Sequence, residues 1–216
     1  MRVAVVSSVY GGHDEPYAPP PQDVPVSDWV MVTGGEMWPE PWRTVTEPRP
    51  QLPPRLAAKV AKCRPDLYAA ADVYVWIDGN IRVTSAGFVS WCLKQLGDAD
   101  MAQWRTPGTI AEEGADAANV NRWPKYTGQP IAAQVAHYMA AGHPAGYPKW
   151  WTGLIVRRDT ARVAAFGDAW LLEMTRWSFE DQLSEPVAAR RLGLRVNDIP
   201  DVWSGGFDRA AHRDDS

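Results

Sequence analysis

The sequence predicts an α/β protein with a mostly parallel central sheet flanked by helices. Two observations carry that prediction. Val73 to Ile77 is an unbroken run of five apolar residues, the pattern of a strand covered on both faces. Segments with strand-like and helix-like periodicity also alternate along the whole chain, as βαβ units require. The apolar run ends in Asp78-Gly79-Asn80, and an open α/β sheet binds its ligand beyond the carboxyl ends of its strands. Asp78 and Asn80 offer hard oxygen ligands two residues apart that could hold a divalent cation, Mn²⁺ or Mg²⁺. The same residues also suit a tight Asp-Gly turn between two strands.

Taken in order, Arg2 to Ser8 reads as a first strand. Tyr10-Gly11-Gly12-His13-Asp14 then turns sharply, with a glycine pair compatible with close approach of a nucleotide but without full G-x-G-x-x-G spacing. Five prolines between Pro16 and Pro25 require an extended loop. Asp28 to Thr33 and Trp42 to Thr46 are short strands. Gln51 to Ala71 is expected to be helical, with Pro53 and Pro54 at its entry. On it, Leu56, Val60 and Cys63 form an apolar stripe. Arg55, Lys59 and Lys62 repeat that spacing one position earlier, as a basic stripe able to embrace a diphosphate or, alternatively, as a solvated helix face.

Beyond Asp78-Gly79-Asn80, helices are expected over Ala86 to Leu96, Thr109 to Ala118 (with Glu112 and Glu113) and Pro130 to Ala141, and a short strand over Met101 to Trp104. Trp150-Trp151-Thr152-Gly153 leads into a strand, Leu154 to Val156, closed by Arg157-Arg158. Thr160 to Trp177 is a long amphipathic helix. Ser178 followed by Asp181 has capping-box spacing, with Asp for the usual Glu or Gln. That helix ends near Gly193, Leu194 to Val196 is a last strand, and residues 204–216 are a polar tail after a single domain spanning 1–203.

The totals set bounds. The chain has 216 residues, 45% hydrophobic and 22% charged, with a net charge of −4, an ordinary globular composition without a basic nucleic-acid footprint. No run reaches the ~18 apolar residues of a membrane span, and no signal peptide is visible, so the expected location is the cytoplasm. Cys63 and Cys92 are isolated on helices and are expected to be reduced core residues. The 12 tryptophans supply aromatic faces that suit sugars and bases as well as cores.

Several of these segments in succession resemble a known family. Val5 to Asp14, Asp28-Trp29, the Arg55/Lys59/Lys62 helix and Val75-Trp76-Ile77-Asp78-Gly79-Asn80-Ile81 match its first half. Gln134, Tyr138, Gly142, Pro144, Gly153 to Arg158 and Ser178-Phe179-Glu180-Asp181-Gln182-Leu183-Ser184 match its second. The chain resembles, over roughly residues 2–195, the glycosyltransferase-like domain family that includes plant proteins linked to seed-coat mucilage and pollen turgor. The resemblance implies a GT-A (Rossmann-like) fold and transfer of a sugar from a nucleotide-sugar donor to a glycan, protein or other hydroxyl acceptor. The alternatives are a non-catalytic nucleotide- or carbohydrate-binding module with a degenerate site, and a glycosyltransferase acting on modified DNA bases, the one way in which nucleic acid would enter as an acceptor.

It further implies that Asp78 and Asn80 stand at the family's metal-binding Asp-x-Asp, with Asn replacing the second Asp, and that Asp181 is the catalytic base. Ser7, Ser8, Tyr10 and Gly11 would hold base and ribose. Arg55, Lys59, Lys62 and Arg157 would hold the diphosphate, and Trp150, Trp151, Gly153 and Gln182 the sugar or acceptor. Glu112 and Glu113 match the family only loosely. Without an anchor or stalk, the chain is expected to be a minimal phage or bacterial version.

Overall fold

Seven strands form the central sheet of the computed structural model, which describes residues 1–211. The elements run β1 (Val3–Val9), β2 (Asp28–Thr33), β3 (Trp42–Thr46), α1 (Pro54–Cys63), β4 (Val73–Ile77), β5 (Ile81–Val83), α2 (Phe88–Leu96), β6 (Met101–Thr106) and α3 (Ile110–Ala117). They continue with α4 (Ile131–Ala140), β7 (Lys149–Arg158), α5 (Ala161–Arg176), α6 (Asp181–Arg191), β8 (Val196–Ile199) and β9 (Phe207–Arg209). The sheet order is β3-β2-β1-β4-β7-β6-β8. Every neighbouring pair is parallel except the two made by β7, which runs antiparallel to β4 and to β6. The mostly parallel sheet expected from the apolar runs is present.

Both sheet faces are covered. Because side chains alternate along a strand, Val3 and Val5 pack on one side with Phe88, Val89 and Cys92 of α2, while Ala4 and Val6 pack on the other with α1 and α5. All five residues of β4 are buried, worth roughly 1.5–3 kcal/mol for each large aliphatic side chain taken out of water. A smaller cluster joins α3, α4 and α6 through Ile110, Ile131, Tyr138 and Leu183. Cys63 and Cys92 are buried thiols. Among the described residues no helix is long and apolar enough to cross a membrane.

Several boundaries differ from expectation, each for a local reason. The helix expected over residues 51–71 stops at Cys63, because Arg64 precedes Pro65 and a residue before proline is pushed out of the helical region. A single 3₁₀ turn, Pro65–Leu67, follows. The strand expected over residues 154–156 extends over Lys149–Arg158 and takes in both tryptophans. The last strand of the main sheet lies at Val196–Ile199, two residues later than expected. Within the expected polar tail, Phe207–Arg209 form β9 and pair antiparallel with β5, while residues 212–216 lie outside those described.

Candidate active site

The order of the strands locates the cleft. From β1 the chain builds outward through β2 to β3, then returns through α1 to lay β4 against the other side of β1. The carboxyl ends of β1 and β4 therefore diverge at a topological switch point, where a crevice opens. A cleft of about 210 Å³ lies there, lined by Ser8 of β1 with Tyr10 just after it, and by Trp76 of β4 with Asp78 just after it. One wall is α1, contributing Arg55, Lys59 and Lys62. The other comes from the start of α6, with Glu180, Asp181 and Gln182, and from Trp151 on β7.

The basic stripe of α1 descends into this cleft rather than facing solvent. Arg55 is exposed, Lys59 half-buried and Lys62 completely buried. The Lys62 ammonium lies 2.6 Å from an Asp181 oxygen and 3.0 Å from Oδ1 of Asp78, over the rings of Trp76 and Trp170 at 5.7 and 6.0 Å. Lys59 donates to the same Asp181 oxygen as Lys62. Burial opposes charge on Lys62, but Asp181 and Asp78 more than offset it and raise its pKa. Burial likewise opposes charge on Asp181, yet the two lysines hold its carboxyl well below the usual carboxylate range.

Beside this ion cluster sits a carboxyl of opposite character. Glu180 is the N-cap of α6, accepting from the Gln182 backbone N–H at 3.2 Å. Its burial, and after that the neighbouring Asp181 charge, push its pKa up to about 7. Two adjacent carboxyls are thus split, one firmly ionised and one titrating near neutrality, the pattern that separates acid and base roles in active sites. Sequence reasoning passed over Glu180. Its signal was its place at the helix start, which the Ser178-to-Asp181 spacing disguised.

Ser178 is not the cap. It is buried and donates to Oε1 of Gln134 at 2.5 Å, so the helix begins two residues later. Gln134 in turn donates to Tyr138 at 3.0 Å, and Tyr138 donates to Glu173 at 2.9 Å. The Trp170 indole donates to the Asp181 carbonyl at 3.1 Å. These buried bonds fix where α6 starts, and with it where Glu180 and Asp181 point.

The remaining expected residues divide. Ser8 donates to the Val32 carbonyl at 3.0 Å and Tyr10 to that of Glu47 at 2.8 Å, and both line the cleft. Ser7 alternates to the opposite face and is fully buried. Gly11 holds a φ of 78° in the turn after β1 but does not line the cleft. Trp151 lines it, packed among Trp104, Trp203 and Phe207. Trp150, on the other side of the strand, is buried and donates to Asp198 at 2.8 Å. Gly153 does not reach the cleft. It seats the Trp151 ring, whose Cζ2 would lie 2.3 Å from any added Cβ.

The expected place of Arg157 is corrected outright. The resemblance puts Arg157 with the diphosphate-binding residues of the crevice. β7 is antiparallel, so Arg157 pairs with Tyr74 at the start of β4, far from Asp78 at its end. There it is buried and donates to the Lys62 and Cys63 carbonyls, closing the last turn of α1. Glu112 belongs to a capping box with Thr109 at the start of α3, whereas Glu113 pairs with Lys149 at 2.8 Å and accepts from Gln182 at 3.4 Å.

The residues do not fit the expected cation at Asp78 and Asn80. Oδ1 of Asp78 already accepts from Lys62 and, at 2.9 Å, from the Trp76 indole. Asn80 is buried outside the cleft, with its amide donating to the Ala210 carbonyl at 3.1 Å beside β9. A divalent ion on Asp78 would face the buried Lys62 ammonium at like-charge distance. Among the described residues no group of three or more His, Cys, Asp or Glu side chains is arranged to hold a metal.

No family model matches the chain, and no curated protein sequence matches it. Among solved structures it is similar to the bifunctional glycosyltransferase WbbM, at 15% identity and a TM-score of 0.47, covering 92% of this chain and 38% of that one. It is similar to a mannosyltransferase from Pyrobaculum calidifontis in complex with GDP-mannose and Mn²⁺, at 15% identity and 0.44, covering 93% and 55%. It is also similar to the bifunctional IspDF from Campylobacter jejuni, at 7% identity and 0.49, covering 100% and 53%. The chain therefore spans little more than half the length of these proteins, or less.

Proposed function

We propose that the protein is a glycosyltransferase that moves a sugar from a nucleoside diphosphate donor to a hydroxyl acceptor. The observation that supports this most is the meeting of Lys59 and Lys62 with Asp181 in a cleft at the β1/β4 switch point. That places cations for a leaving diphosphate beside a carboxylate in position to serve as the acceptor's base. The loop after β1 and Tyr10 would face the nucleoside, and Trp151 the sugar ring.

In the transfer, the bond from the anomeric carbon to the diphosphate oxygen breaks, and its electron pair leaves on the diphosphate. The acceptor oxygen bonds to the anomeric carbon and gives its proton to Asp181. The two ammonium groups stabilise the charge growing on the diphosphate. Positioned proton transfer of this kind contributes about 10²–10⁴ in rate. Glycan hydroxyls suit the aromatic wall best, and the net charge of −4 argues against a nucleic-acid acceptor.

The test is a transfer assay over a panel of nucleotide sugars with mono- and oligosaccharide acceptors, paired with donor binding. One donor should support transfer. Asp181→Asn should lower turnover at least 100-fold while the folded variant still binds that donor. Donor binding without transfer to any hydroxyl acceptor would instead identify a binding module.

A further inference from the structure

Lys62 and Lys59 differ in a way that bears on how the cleft takes its anion. Lys62 is enclosed, held by two carboxylates and flanked by two indole rings. Lys59 shares the Asp181 oxygen with Lys62, keeps 19% of its side chain exposed and lines the cleft one helical turn below Arg55. An anion entering the cleft can recruit Lys59 by rotation of a flexible side chain, whereas moving the enclosed Lys62 would take the ammonium partner from Asp78 and one of two from Asp181.

We propose that this cleft binds a nucleoside diphosphate without a divalent cation, and that the diphosphate draws Lys59 off Asp181 while Lys62 stays in place. This rests on the transferase reading above. Lys62 donates to Oδ1 of Asp78 and serves as the fixed cation of the site. Lys59 is the mobile one, a positioning residue. In the empty cleft it shields Asp181, and on the diphosphate it leaves that carboxylate with a single lysine partner, ready to accept a proton. Donor binding would thus precede base function.

The experiment is calorimetric titration of the full chain with uridine, guanosine, cytidine, adenosine and thymidine diphosphates, in EDTA and again in excess Mn²⁺. One of them should bind in EDTA, with Kd changing less than about threefold on adding Mn²⁺. Lys59→Ala should weaken that binding roughly 10- to 100-fold, the usual cost of a lost charge-assisted contact, and Lys59→Arg should restore most of it. In lysine-ammonium NMR, the Lys59 signal should move on nucleotide addition and the Lys62 signal should hold. Binding that appears only with Mn²⁺, or a folded Lys59→Ala protein with unchanged affinity, overturns the inference and leaves the transferase reading standing. Failure of all five nucleotides under both conditions overturns that reading, and the inference with it.

Discussion

Lys62 and Asp181, 119 residues apart in sequence, form a buried ion pair at 2.6 Å that ties α1 to the start of α6. Neither charge has solvent to fall back on, so each depends on the other being present.

Lys62→Met keeps the side-chain volume and removes the charge. It should cost about 3–5 kcal/mol of stability, because Asp181 keeps only Lys59 and Asp78 loses its ammonium partner. Adding Asp181→Leu to Lys62→Met should recover part of that loss by removing the orphaned carboxylate. Urea unfolding of both variants checks this, and a single variant as stable as the parent contradicts a buried pair.

Glu180, with its pKa pushed up to about 7, gives the free protein a group that ionises near neutral pH in the cleft. The pH profile of kcat/KM reports free-enzyme ionisations, so it should carry a limb near 7. Glu180→Gln should remove that limb. A limb that survives the substitution belongs to another group.

Glu185 lies one turn beyond Asp181, fully buried, with neither carboxyl oxygen hydrogen-bonded among the described residues. Burial, reinforced by the Asp181 charge, pushes its pKa up to about 8 from 4.5. The folded chain then holds a proton that the unfolded chain releases, so stability falls as pH rises from about 4.5 to about 8. Glu185→Gln removes this loss. Its stability relative to the parent should improve by ~2 kcal/mol or more between pH 5 and pH 8. A difference that is flat across that range, measured by denaturant melts, would mean Glu185 ionises without penalty.

Gly153 has no room for a side chain, since an added Cβ meets the rigid Trp151 ring at 2.3 Å. Gly153→Ala should cost about 1–3 kcal/mol and turn the indole out of its seat. If Trp151 faces the acceptor, KM for the acceptor should rise about tenfold or more, by loss of a stacking contact, while donor affinity stays within threefold. Steady-state kinetics separates the two, and an unchanged acceptor KM removes Trp151 from acceptor binding.

The sequence by itself determined the class of the sheet and most of its elements, though not their bounds. Val73 to Ile77 reads as a strand covered on both faces, and the i, i+4, i+7 spacing places Arg55, Lys59 and Lys62 on one edge of a helix, where the structure finds them. These are local signals, set by side-chain periodicity within one segment. Only the tertiary structure decided which ends of those segments meet. A strand alternates with the same period in either direction, so nothing in residues 149–158 announces that β7 is antiparallel and that Arg157 lies at the start of β4 rather than at its end. Burial is non-local in the same sense. Lys62 reads like its neighbours on the stripe until Asp78 and Asp181 close over it, and Glu180 acquires its proton affinity from burial at the start of α6 and from the Asp181 charge beside it.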